Sequence, residues 1–400
     1  MRKCDFSKLV SITSDGAKNM ISQERGMACE LIKRANQKQN INMRIGVDVH
    51  CLWCVDHRLN LVTQDFKEVP GINFVITFAK WLTANDRLVS YTLFSRRTSK
   101  TKLKKIPPPS ETRWLFLRDT LNVLLEQTQT VDAFLNTNRN MGKWREHISS
   151  SKCNLGPIKD IPFSLQHPLI NAHFKFAKEI FAVLGNINEV FQGKYGFIHH
   201  FWEYMVPFYQ LMKYELEKIE KGDFTTYPFL GQVERKKPQF TTILKSLILN
   251  LRVRFDSVSF SLDKQKVKKF LNYDQMRIME GAPLEGRERC GISPLLDVFN
   301  IRESLVPRHL SSCLSHLGLW EEWSRLFAEI TKNWGDLTVS AHEREANLGE
   351  KERKIREDLR IPVMPNLLDV FQFAQKTSFP RLWRFVMKTM TIMPTSVACE

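Results

Sequence analysis

Strand-like spacing of apolar residues is confined to the first fifty or so residues, and helix-like spacing runs from there to near the end. Leu9-Val-Ser-Ile-Thr13 is a short, partly β-branched run closed by Asp15-Gly16, which predicts a strand entering a tight turn. Residues 17–38 place Met20, Ile21, Met27, Ala28, Leu31 and Ile32 at helical spacing. Residues 45–49 predict a second strand, delivering Cys51-Leu-Trp-Cys-Val-Asp-His57 to the start of a helix that runs to about Phe66. A strongly apolar helix is predicted over about 72–94, with Phe74, Val75, Ile76, Phe78, Trp81 and Leu82. The segment Arg96-Arg-Thr-Ser-Lys-Thr-Lys-Leu-Lys-Lys105 has no period and ends in Ile106-Pro-Pro-Pro-Ser110, so it reads as a loop or linker. Trp114 to about Asn136 resumes a helical pattern. Helical spacing continues to about 375, broken at Gly156-Pro157, Gly193, Gly222, Pro238, Gly281-Ala-Pro283 and Ile361-Pro362. Leu295-Leu-Asp-Val-Phe299 recurs as Leu367-Leu-Asp-Val-Phe371, two similar helix starts rather than a repeat.

Composition narrows the class. With 400 residues, 43% hydrophobic, 27 Phe and 9 Trp, the chain can bury a large core, and its length suggests two or three domains. A net charge of +16 and a pI near 9.5 point to a polyanionic partner, nucleic acid first and an acidic membrane surface second. A basic globular protein without such a partner is the plain alternative. Eight scattered cysteines suit thiols in a reducing compartment better than a disulfide scaffold. The first residues lack the apolar core of a signal peptide, and no apolar run approaches the ~20 residues that span a bilayer. The expectation is a soluble nuclear protein with no membrane partner and no evident small-molecule substrate.

Several residues could carry chemistry. Asp15 follows a strand in a Gly-containing turn, where a carboxylate projects from a sheet edge as a divalent-metal ligand must; a turn-forming Asp is the bland reading. Cys54 and His57, three apart, share one helical face, but zinc would need two further ligands, with His50 and Cys51 the local candidates. Arg113 and Trp114 read as a surface residue and a core anchor at a helix start, although an indole such as Trp114 can also stack on an unpaired base. Lys102, Lys104 and Lys105 in the basic segment, and the cluster Lys264-Gln-Lys-Val-Lys-Lys269, could meet phosphates by displacing condensed counterions. Solvated surface is the alternative for both. The mixed-sign Lys351-Glu-Arg-Lys-Ile-Arg-Glu-Asp358 reads as an exposed helix.

Taken in order, Ser14-Asp15-Gly-Ala-Lys-Asn19, the Cys54-x-x-His57 element running into Arg58-Leu-Asn-Leu-Val62, and Glu111-Thr-Arg-Trp114 resemble the core of hAT-superfamily DNA transposases and of cellular genes derived from them. Phe181-Ala-Val-Leu-Gly-Asn-Ile-Asn-Glu-Val-Phe-Gln-Gly-Lys194 and Glu217-Lys-Ile-Glu-Lys-Gly-Asp-Phe224, followed by Tyr227-Pro-Phe229, resemble the domesticated BED-finger-type branch. The end of the chain, from Phe379-Pro-Arg-Leu-Trp to Met393-Pro394 and Glu400, resembles the hAT dimerisation region, with Phe379 for the usual Tyr and Met393 for the usual Ile.

The resemblance implies an α/β plus α fold: a partial RNase H-like core interrupted by a large all-helical insertion domain. The expected divisions are an incomplete core over 1–120, the helical insertion over 121–365 and a dimerisation-like segment over 366–400 that returns to the core. Asp15 and Glu400 become vestigial catalytic candidates, with Asp15 also the vestigial metal ligand. Cys54, His57, Arg113, Trp114, Lys102, Lys104 and Lys105 become nucleic-acid contacts, and Leu382, Phe385, Val386 and Met390 a self-association stripe. Strand transfer of the DDE type needs two metals clamped by three carboxylates. The first Asp of the family has no place ahead of Asp15, and Glu400 is terminal, so the resemblance reads as truncated at both ends and no cofactor is expected; Mg²⁺ would enter only if an upstream segment completed the site. The leading expectation is a transposase-derived, catalytically inactive nuclear protein that binds nucleic acid and self-associates. The alternatives are a fragment of an active metal-dependent transposase and a helical protein-interaction scaffold without a DNA role.

Overall fold

A computed structural model describes residues 11–14, 50–66, 68–98, 104–108, 115–150, 161–192, 198–255 and 333–361, with a few isolated positions between them. These residues are predominantly helical. No described helix is long and apolar enough to cross a membrane. The chain divides into two compact units, one made of residues 58–189 and 208–254, the other of residues 1–57, 190–207 and 255–400.

The strands belong to the second of these units. β1 (Ser11–Ser14) and β2 (His50–Trp53) pair in parallel, Ser11 opposite His50 and Ser14 opposite Trp53. The strand predicted over 45–49 lies outside the described residues, and β2 takes in Cys51 itself. Cys54 then leads into α1 (Val55–Phe66). In the same unit α10 (Trp334–Ala346) and α11 (Glu350–Asp358) are tied by Arg356, 3% exposed, whose Nε donates to Glu345 at 3.0 Å. The Tyr204 hydroxyl donates to Glu352 at 2.9 Å, and the Arg356 guanidinium lies 5.8 Å from the Tyr204 ring centre, so this corner is held by charge against aromatic surface.

The helical unit is built around α2 (Ile72–Thr83), whose apolar side chains are buried over most of its surface, while Asn73, Thr77 and Lys80 form one half-buried polar face. Gly71 opens it with φ of 86°, a left-handed conformation that only glycine adopts without strain. A second reason fixes glycine here. A Cβ at Gly71 would stand 2.5 Å from Cδ2 of His173, closer than carbon atoms can approach.

The single helix predicted over 72–94 is two. Ala84 is extended with ψ of 138°, and α3 (Asn85–Thr98) starts afresh. The ends are satisfied by side chains: Thr83 Oγ1 donates to the Ala79 carbonyl at 2.6 Å, and Arg87 Nε donates to the Trp81 carbonyl while its guanidinium covers the Trp81 ring at 5.1 Å. The helix predicted from Trp114 to Asn136 is likewise divided at Gln127, into α4 (Leu115–Glu126) and α5 (Thr128–Leu135).

α6 (Asn138–Ser150) brings Trp144 against α2, where it meets Trp81 at 5.1 Å and Phe78 at 5.2 Å between ring centres. Phe78 also stacks on Phe163 at 4.5 Å and meets Phe174 edge-on at 5.6 Å. The loop carrying Phe163 is locked by Asp132 of α5, whose buried carboxylate accepts from Ser164 Oγ at 2.7 Å and from the Leu165 and Gln166 amides at 2.8 and 3.1 Å. It leads to α7 (Pro168–Gln192), with proline at the first helical position, where no intrahelical amide bond is lost. α8 (Ile198–Lys221) ends at Gly222, φ 80°, where the Asp223 amide bonds back to the Lys218 carbonyl at 2.9 Å. A 3₁₀ stretch over Pro228–Lys236 then enters α9 (Lys237–Phe255), and Phe240 packs on Phe176 and His173 of α7.

Candidate nucleic-acid interface

α1 is where the first candidates fall. Val55, Leu59, Val62 and Phe66 repeat at helical spacing and are buried. Cys54 sits in the core at 2% exposure and seats the start of the helix, while His57, nearly one turn on, is half-buried. Arg58 is inside as well, its Nη1 donating to the Arg254 carbonyl at 3.1 Å. Arg254 in turn donates to the Asp65 carboxylate at 2.6 and 2.8 Å, so two of the cations on α1 and α9 are committed to clamping these helices together. Among the described residues no group of three or more His, Cys, Asp or Glu could hold a metal ion. Asp15 and Glu400, the vestigial catalytic candidates of the hAT resemblance, with Asp15 also its metal candidate, lie outside the described residues. So do Lys102, Arg113, Trp114 and the stripe Leu382, Phe385, Val386 and Met390.

Lys104 and Lys105 are described, and both are exposed. The backbone that carries them is not a free loop. Ile106 is 1% exposed, an apolar peg in an otherwise polar stretch. Thr120 Oγ1 of α4 donates to the Pro107 carbonyl at 2.7 Å. Gln127, at the break between α4 and α5, donates its Nε2–H to the Lys104 carbonyl at 2.6 Å and accepts the Tyr91 hydroxyl of α3 on Oε1 at 2.6 Å. Burial pushes the Tyr91 phenol above its usual pKa, so it remains a donor throughout the ordinary range. The Lys104 ammonium meets Glu126 at 2.8 and 3.1 Å in a solvent-exposed pair. Residues 104–107 therefore form a strap, pinned by two side-chain hydrogen bonds to its carbonyls and by one buried side chain, which holds two lysines outward. Arg96 and Arg97, exposed at the end of α3, lie on the same unit.

Two motifs distant in sequence face each other elsewhere in this unit. Asn60 of Leu59-Asn-Leu61 and Asn188 of Gly185-Asn-Ile-Asn188 line one small solvent-open cleft between α1 and α7, over Leu59, Phe181 and Leu184. Asn188 is 8% exposed, and its Oδ1 has no donor among the described residues. Thr63 on the same lip spends its hydroxyl on the Asn60 carbonyl at 2.7 Å.

His173, the most buried histidine described, is structural. Its Nδ1–H donates to the Leu169 carbonyl at 2.8 Å, which leaves the neutral ring against Phe240 at 4.7 Å, and burial pulls its pKa down to about 4. Sequence reasoning found the two lysines from their charge and missed Tyr91, Thr120, Glu126 and Gln127. The available signal was Ile106, a single apolar residue between a basic run and three prolines. No family model matches the chain, and no curated protein or solved structure matches it either.

Proposed function

We propose that this is a transposase-derived nuclear protein that binds nucleic acid and self-associates. The observation that carries the reading is the strap: two exposed lysines on a backbone fixed by Thr120, Gln127 and the buried Ile106, in a chain of net charge +16. A phosphate backbone gains most from cations whose placement costs no further ordering. The parallel pairing of β1 with β2 supports an RNase H-like core in the second unit, because a parallel pair needs a crossover connection and the residues between 14 and 50 supply its length. In that core Asp15 would follow directly on the last residue of β1, and His57 would stand a few residues after β2. Self-association rests on the apolar stripe Leu382, Phe385, Val386 and Met390.

The test is fluorescence anisotropy of the full chain with labelled duplex and single-stranded DNA over a range of salt. The reading expects affinity to fall steeply with salt, by about 0.9 in log K per log salt for each duplex phosphate met. Absence of retention even at low salt would refute it and favour the helical scaffold. Mg²⁺-dependent nicking that disappears in Asp15→Asn would instead make the protein an active strand-transfer enzyme. Sedimentation at micromolar concentration tests self-association, and a monomer there removes that half of the proposal.

A further inference from the structure

The fastening of the strap is more elaborate than a solvated basic loop requires. Gln127 commits both ends of its carboxamide to tertiary partners, receiving the buried Tyr91 hydroxyl and donating to the Lys104 carbonyl. The head of that lysine is held too, at 2.8 and 3.1 Å from the two oxygens of Glu126, the residue next to Gln127. Two oxygens of one anion around an ammonium is also the arrangement a phosphodiester would offer. We propose that Tyr91 and Gln127 are positioning residues for a preformed phosphate-contact site on Lys104 and Lys105, and that the Glu126 carboxylate is a resident anion which an incoming phosphate replaces.

This rests on the nucleic-acid reading above and gives that site its mechanism. Lys104 and Glu126 are 69% and 51% exposed, so a phosphate reaches the ammonium without disturbing any buried group. An ion pair that open to water contributes little to stability, so its replacement costs little, while the phosphate releases condensed counterions as it docks. The side-chain amide of Gln127 meets no phosphate in this arrangement. It acts through the Lys104 backbone, and Tyr91 acts through Gln127.

The experiment measures duplex DNA binding by the full chain, wild type beside Gln127→Met, Tyr91→Phe and Glu126→Gln, with thermal unfolding and trypsin cleavage at Lys104 and Lys105 followed in parallel. Gln127→Met keeps the volume and removes both hydrogen bonds. It is expected to weaken binding about threefold to tenfold while leaving the salt slope of wild type, because the same phosphates are met by a strap that must first be ordered. Tyr91→Phe is the milder second variant, with a smaller loss in the same sense. Glu126→Gln is expected to tighten binding about twofold to fivefold. Faster cleavage at the strap with no change in affinity would overturn the positioning role. Unchanged or weaker binding by Glu126→Gln would overturn the resident-anion role. If wild type itself fails to bind, the nucleic-acid reading falls and the inference with it; if wild type binds and the variants match it, the inference alone falls.

Discussion

The aromatic layer around α2 and the strap over residues 104–107 lie in one unit and are fixed by different forces. Around α2, Phe78 touches the rings of Trp81, Trp144, Phe163 and Phe174, and the position of each ring is set by the volume of the others. The strap has one buried side chain, Ile106, and otherwise depends on hydrogen bonds from Thr120 and Gln127 to its own carbonyls. Apolar packing places an element wherever area is buried best, whereas a carbonyl bonded at both ends of a short segment specifies where its backbone runs. The first arrangement holds the unit together. The second holds two charges in place at small cost to the whole.

That contrast is broken most easily from the packed side. Phe78→Ala should lower stability by about 3–5 kcal/mol, read by urea denaturation of the full chain, since four facing rings cannot all close on the space left. A loss under about 1 kcal/mol would mean that the layer is loose and the contrast overstated.

His173 sharpens the same side by pH. Its folded pKa, about 4, lies below the ordinary histidine value of 6.5, so the unfolded chain binds the proton more readily. The contribution of the neutral ring is therefore complete above pH 6.5 and declines as pH falls from there toward 4, by up to about 3 kcal/mol in total. His173→Gln should flatten that part of the stability–pH curve. An unaltered curve would place its acid sensitivity in other groups.

The smallest effect belongs to the strap. Thr120→Val removes the bond to the Pro107 carbonyl and should cost about 1 kcal/mol or less, yet speed trypsin cleavage at Lys104 and Lys105. A large loss of stability would show the strap to be part of the core after all.

The elements were legible where local pattern and tertiary setting agree. The run Leu9-Val-Ser-Ile-Thr13 announces β1, and the periodic apolar residues of α1 and α2 announce those helices. The breaks at Ala84 and Gln127 were not. Alanine and glutamine favour helix, and the contacts at the breaks involve side chains whose reach the pattern does not show: Arg87 bonding back to the Trp81 carbonyl six residues earlier, and the Gln127 side chain taken up by the distant Tyr91 and Lys104. The same holds for the candidate site. Charge makes Lys104 and Lys105 visible in the sequence, but the residues that fix them are 36 apart, from Tyr91 to Gln127, and look like ordinary helix positions. That Asn60 and Asn188 line one cleft was hidden for the same reason.

The central claim is that the two lysines of the strap meet phosphate. It is tested most directly by the salt slope of duplex DNA binding in Lys104→Gln/Lys105→Gln beside wild type. The account predicts weaker binding and a slope shallower by about 1.8, two phosphate contacts at ~0.9 each. Weaker binding with an unchanged slope, or no change at all, would contradict it.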